Sequence, residues 1–184
     1  FLKGVELDAA DTVGRLLQRG FDPNTIDPQG NPALLLALKH ESPKVFKVLV
    51  SHPDIRIDVA NAHGETPLMM AALRGELEAA RTLLDRGAAV NRDGWAPLHY
   101  AASGPSAEVV KLLLARGAMV DAPSPNGSTA LMMAARYGPE DAVFALIAAK
   151  ADPQRRNQRE MNAADFARSA GRDKLAVRIE QSSR

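Results

Sequence analysis

Two methionine pairs, Met69-Met70 and Met132-Met133, are the first residues whose type could do chemistry. Clustered thioethers bind soft ions such as copper(I). Both pairs, however, stand at the same place in a recurring pattern, where packing between helices is the stronger reading. The histidines His40, His52 and His63 lack metal-ligand spacing and have no carboxylate partner by motif. The absence of cysteine excludes disulfides, zinc-thiolate sites and thiol nucleophiles. No nucleophile elbow, Walker-type loop or dinucleotide-binding glycine pattern occurs. No catalytic residue, metal or cofactor is therefore expected.

Residues suited to binding are more informative. Trp95 is the sole tryptophan, and large aromatics anchor interfaces because they bury much area with few rotors. Lys39, Leu73, Ser103 and Arg136 occupy equivalent places in the pattern described below, and Arg74 stands one place on, level with Tyr137 beside Arg136. A basic row there would suit an acidic partner segment, although cations also favour helix C-termini for local reasons. Loop-tip positions add His63, Glu65, Arg92, Asp93 and Asn126. The basic run 155–159 is too small and too poor in aromatics for nucleic-acid binding. Asn126-Gly127-Ser128 has sequon spacing but reads as a turn. With 23 Lys+Arg against 22 Asp+Glu, the net charge of +1 favours neither nucleic acid nor a membrane surface. No apolar run approaches the roughly 20 residues needed to span a bilayer.

The elements that must position these residues repeat. Pro32-Ala33-Leu34-Leu35, Thr66-Pro67-Leu68-Met69, Ala96-Pro97-Leu98-His99, Thr129-Ala130-Leu131-Met132 and a faded Asn162-Ala163-Ala164-Asp165 recur. With Phe1 as the trace of a sixth, the steps are 33, 34, 30, 33 and 33 residues. Such a period marks stacked repeats. In one unit, Pro97 begins a short helix and Gly104-Pro105 ends it. Val109, Val110, Leu112, Leu113 and Leu114 give the second helix a wide apolar face, which Gly117 closes. An extended stretch then runs to the Asn126-Gly127 turn. Aromatics are only 4% of the chain, so Ala, Leu, Val and Met must build the core.

Gly94 to Ala102, followed by Leu83-Leu84-Asp85-Arg86-Gly87-Ala88-Ala89-Val90-Asn91 in the preceding unit, resembles the ankyrin repeat, with Ala96 the departure in the first run. The chain looks similar to compact bacterial members. The resemblance implies an all-α solenoid of about six helix-turn-helix repeats joined by β-hairpin-like loops. The repeats run over about 1–29, 30–63, 64–93, 94–126, 127–159 and 160–184, with the first and last as caps. It implies a structural His99 that hydrogen-bonds loop backbone. It also implies a non-catalytic scaffold that grips a protein partner in a concave groove of loop tips and first helices. The alternative is the targeting or regulatory portion of a larger enzyme or effector. A monomer is expected. The chain opens on Phe1 rather than Met, so a signal peptide, a tag or further protein is expected upstream. A periplasmic or secreted location is the expectation, and a cytoplasmic one the alternative.

Two loops break the pattern. In 54–63, Ile55, Ile57 and Val59 alternate with Arg56 and Asp58, which predicts a strand pair. Gly87 to Gly94 spans 7 residues where Gly117 to Gly127 spans 10. Three missing residues predict a clipped tip near Arg92-Asp93 and a notch beside Trp95.

Overall fold

The computed structural model describes residues 1–182. Among them are twelve α-helices and no strand. They are α1 (Leu2–Glu6), α2 (Ala10–Gln18), α3 (Ala33–Lys39), α4 (Pro43–Ser51), α5 (Pro67–Arg74), α6 (Leu77–Asp85), α7 (Pro97–Ser103), α8 (Ala107–Ala115), α9 (Ala130–Tyr137), α10 (Glu140–Ala148), α11 (Ala163–Ser169) and α12 (Asp173–Gln181). The chain forms two compact units, one of residues 1–70 with 82–88, the other of 71–81 with the residues from 89 onward.

In the first unit, α1 packs on α3 and α2 on α4. In the second, α7, α9 and α11 stack in series, and α8 packs on α10. First helices thus meet first helices, and second helices meet second. Small residues permit this closeness: Ala101, Ala102, Ala134, Ala135 and Ala167 are fully or almost fully buried along the α7–α9–α11 stack. Around them Leu98, Leu113, Leu131, Met132 and Leu146 fill the core. Gly138 marks the tightest approach. A Cβ there would lie 2.3 Å from the Ala102 carbonyl oxygen, so space, with φ at −86°, excludes a side chain.

The recurring signature acquires a physical meaning at the helix starts. Its first residue is the N-cap, whose own N–H needs an acceptor. His99 Nδ1 accepts from the Ala96 N–H at 3.1 Å, and the Asp165 carboxylate accepts from the Asn162 N–H at 3.0 Å. The thioethers of Met69 and Met132 face the Thr66 and Thr129 N–H groups at 3.4 Å, as weak acceptors. The second repeat carries Leu35 at this place, and its cap is Pro32, which has no N–H. The departure from the pattern therefore leaves no donor stranded.

The strand pair expected in 54–63 does not form, nor do the loops pair as β-hairpins. One isolated bridge, Ile26 to Pro32, is the extent of β pairing among the described residues. The alternation itself is real, since Ile55 is buried between exposed Asp54 and Arg56. The backbone bonds go sideways instead. Asn24 accepts from the Arg56 N–H at 2.8 Å and donates to the Asp54 carbonyl at 2.9 Å. Asn91 repeats the bracket in the second unit, on the Met119 N–H and the Gly117 carbonyl.

In the N-terminal repeat, Lys3 is exposed and Asp8 is half-buried. It adopts φ +51° and its carboxylate accepts the Val45 N–H at 2.8 Å, in the first turn of α4. The α4 cap residue, Ser42, is buried and makes no such bond.

Candidate functional site

The second unit gathers the exposed apolar residues of α5, α7 and α9 around a hollow of about 220 Å³. Leu73, Trp95, His99, Tyr100, Ser103 and Met133 line it. Trp95 stands at its edge, 37% exposed, with its ring edge-on to His99 at 5.4 Å between centroids. Each position follows from helical spacing. Leu73 lies in the last turn of α5, and Tyr100 and Ser103 are i and i+3 on α7. Met133 and Tyr137 are i and i+4 on α9, which brings Tyr137, 58% exposed, onto the same face.

His99 is the fixed floor of this arrangement. It is buried, its Nδ1 accepts the Ala96 N–H, and its Nε2–H donates to the Ser128 carbonyl at 3.1 Å. These two bonds select the neutral Nε2–H tautomer. Burial holds its pKa below the ordinary value, against backbone hydrogen bonds that favour the charged form.

Charged residues stand close along the chain to those that line the hollow. The Arg136 guanidinium lies 5.3 Å from the Tyr137 ring centroid and donates to the Ser169 hydroxyl at 3.1 Å. Arg74 is half-buried and pairs with Glu76 at 3.3 Å. Burial pushes the Glu76 carboxyl up, opposed by the Arg74 charge. Arg92 and Asp93 are exposed on the clipped tip, where a recess of about 450 Å³ opens between Asn91–Gly94 and Met119, Ala122 and Pro123.

The remaining predicted residues are placed differently. Asn126 is exposed, but its side-chain oxygen accepts from the Ser124 hydroxyl and the Ser128 N–H, so it shapes its own tip. In the first unit, the Glu65 carboxylate accepts from Asn61 at 2.8 Å, and the His63 N–H donates to Asn61. Lys39 ends α3, exposed, with its ammonium 3.4 Å from the Asn31 side-chain oxygen. Two lining residues were not foreseen. Tyr100 carries no signal apart from helix phase, whereas Leu73 and Ser103 stand at the place in the pattern that Arg136 holds. Met133 was read as core with its pair, yet it is half-exposed while Met69, Met70 and Met132 are buried. No place in the pattern separates it, since Met70 stands equally two past the buried Leu68 and is itself buried. Among the described residues, no group of three or more His, Asp or Glu side chains could hold a metal.

Comparison with known proteins agrees with the geometry. The family model "Ankyrin repeats (3 copies)" matches residues 4–94 and 89–157. Ankyrin repeat and SAM domain-containing protein 6 of Danio rerio is 37% identical over 70 residues, which is 38% of this chain and 10% of that protein. Human Rabankyrin-5 is 33% identical over 85 residues, 45% of this chain and 7% of the relative. Glycerophosphocholine phosphodiesterase gde1 of Schizosaccharomyces pombe is 35% identical over 89 residues, 45% of this chain and 8% of the relative. The matched segments are thus at most a tenth of these relatives' length. Among solved structures, a chain of the complex between the Bd0816 predatory endopeptidase of Bdellovibrio bacteriovorus and the immunity protein Bd3460 is similar. The TM-score is 0.84 at 25% identity, over 98% of this chain and 96% of that one. Helix pairing, serial N-caps and family match together place this all-α solenoid chain in the ankyrin repeat family.

Proposed function

We propose that this chain is a non-catalytic scaffold that binds a protein partner through the face of α5, α7 and α9. The observation that carries it is the apolar hollow with Trp95 at its edge and Tyr137 exposed nearby. Ankyrin repeats are protein-interaction modules, and fully buried aromatics commonly supply the dominant contacts of an interface. The similar solved chain comes from a complex of an endopeptidase with an immunity protein. That supports an endopeptidase as the partner class, with the scaffold restraining it. A periplasmic or secreted location belongs to the same proposal, and fractionation of cells bearing a tagged native gene tests it. Recovery in the cytoplasm overturns the location.

The binding test titrates purified endopeptidases of the source organism against this chain and its Trp95→Ala and Tyr137→Ala variants. Each truncation should weaken the complex by about 2 kcal/mol, roughly thirtyfold in Kd, if these are anchor residues. Unchanged affinity in both variants, with helical content intact, sinks this placement of the interface.

A second reading is favoured by the long curated relatives, one of which is a phosphodiesterase by name. In it, the repeats form the targeting or regulatory portion of a larger enzyme or effector. The intact mass of the native gene product decides, since a product near 20 kDa overturns it.

A further inference from the structure

The clipped tip and the hollow meet at Gly94-Trp95, and together they define the shape of what binds. Other tips are closed by a backbone bond three residues long. Gly30 donates to the Asp27 carbonyl and Gly64 to that of Asn61, both at 2.9 Å, and Gly127 to that of Ser124 at 2.8 Å. No such bond closes the tip at Gly94. With three residues missing, one asparagine stands where a longer loop has room for two polar positions. Asn91 spends its carboxamide on Gly117 and Met119. Residues 93–95 therefore run as bends, and the recess has residues 91–94 but not Trp95 in its wall. Arg92 and Asp93 make no ion pair or hydrogen bond within the described residues.

We propose that an acidic loop of the protein partner crosses the clipped tip and seats a single large apolar side chain in the hollow. This deepens the binding reading above and rests on it. Size decides the occupant. About 220 Å³ lies below the roughly 300–1,000 Å³ typical of small-molecule pockets. The walls are Leu73, Trp95, Tyr100 and Met133, and the Ser103 hydroxyl is already bonded to the His99 carbonyl at 2.9 Å. An apolar side chain fits such walls, and the flexible Met133 thioether can adapt to it. Charge decides the flanks. Glu76 is occupied by Arg74, whereas Arg136 and Arg92 have no carboxylate partner among the described residues. Arg74, Arg92 and Arg136 against Glu76 and Asp93 leave one net positive charge beside the lining segments, and complementary charge on the partner follows.

Phage-displayed cyclic nonapeptides panned against the full chain test this, with synthetic versions of the enriched sequences as probes. Enriched peptides should share one Leu, Met or Phe flanked by Asp or Glu. Because Trp95 is the sole tryptophan, its emission should shift on binding of tryptophan-free probes. Replacing the apolar residue by Ala should weaken binding about ten- to a hundredfold. Replacing the acidic flanks by Lys should weaken it about two- to fivefold, less so in Arg136→Ala. Ser103→Leu, which fills the hollow, should abolish the emission shift. Met133→Glu, at a half-exposed position, should do the same if Ser103→Leu fails to fold. Failure to enrich any binder, consensus sequences without a large apolar residue, or binding indifferent to both hollow variants overturns the proposal. The endopeptidase titration stays separate, since a broad interface through Trp95 and Tyr137 would survive that failure.

Discussion

Acidification should destabilise this chain through one residue. His99 is 1% exposed and both ring nitrogens are engaged, Nδ1 as acceptor from Ala96 and Nε2–H as donor to Ser128. A proton added at Nδ1 would face the Ala96 N–H, so the folded chain resists it. The folded pKa is lowered, with burial the largest cause. The unfolded chain then binds a proton at a higher pH than the folded one. Stability contributed by neutral His99 is complete above about pH 6.5. It declines as pH falls from there to the folded pKa, by at most about 1.4 kcal/mol per pH unit, and is level below. His99→Gln removes this titration. It also disturbs two buried hydrogen bonds, so it should lower stability at pH 8 by about 1–3 kcal/mol. Urea unfolding followed by far-UV circular dichroism from pH 8 to pH 5 measures both effects. The difference in stability between wild type and His99→Gln should shrink as pH falls. A difference constant across that range refutes the reasoning, because His99 would then not hold the neutral tautomer that the two bonds require.

Three further outcomes follow from local geometry. Gly138→Ala places a Cβ 2.3 Å from the Ala102 carbonyl oxygen and should cost about 3 kcal/mol. Gly117→Ala meets nothing within 4 Å and should cost only about 1 kcal/mol for its φ of +88°; thermal melts showing the reverse order contradict the close approach. Asn91→Ala severs the bracket to Gly117 and Met119 and should cost about 1–2 kcal/mol, with hydrogen exchange at the Met119 amide as the local check. Asp8→Ala loses the bond to the Val45 N–H and an αL-tolerant residue, at about 1–2 kcal/mol, whereas Asp8→Asn should stay close to wild type. Equal melting points for these two variants would remove Asp8 from the α4 cap.

The fold was largely legible because the repeat signals are local and multiplied. Pro97 at a first helical position, Gly104 after Ser103 and Gly117 after Arg116 mark boundaries that agree with α7 and α8. Repetition in phase then turns weak local signals into a strong one. The misreadings came where a backbone group chose between partners. In 54–63 the alternation of Ile55, Arg56 and Ile57 suggested a paired strand, but the Arg56 N–H found the side chain of Asn24, 32 residues earlier. Nothing along the chain marks the role of Asp8 either, because its partner, Val45, is 37 residues away. The site was half legible. Trp95, Arg136 and Tyr137 stand out by type and position, and Leu73 and Ser103 by position, whereas Tyr100 and Met133 matter only through the walls they share.

By itself, the sequence determined the repeat, its phase, the two-helix unit and the break at the clipped loop, because helix caps, turns and apolar periodicity act within a few residues. It also encoded the match between Pro32 and Leu35 at the second repeat, although the link between them shows only in the structure. Only the tertiary structure decided which side chains answer the cap N–H groups, and that Met133 faces outward while Met132 is core. It alone decided that residues 91–94 of the shortened loop wall a recess and that Trp95 lines a separate apolar hollow. The physical reason is that stacking joins residues about one repeat apart. A side chain's role is then set by what the neighbouring repeat presents to it, and that is written in space and not along the chain.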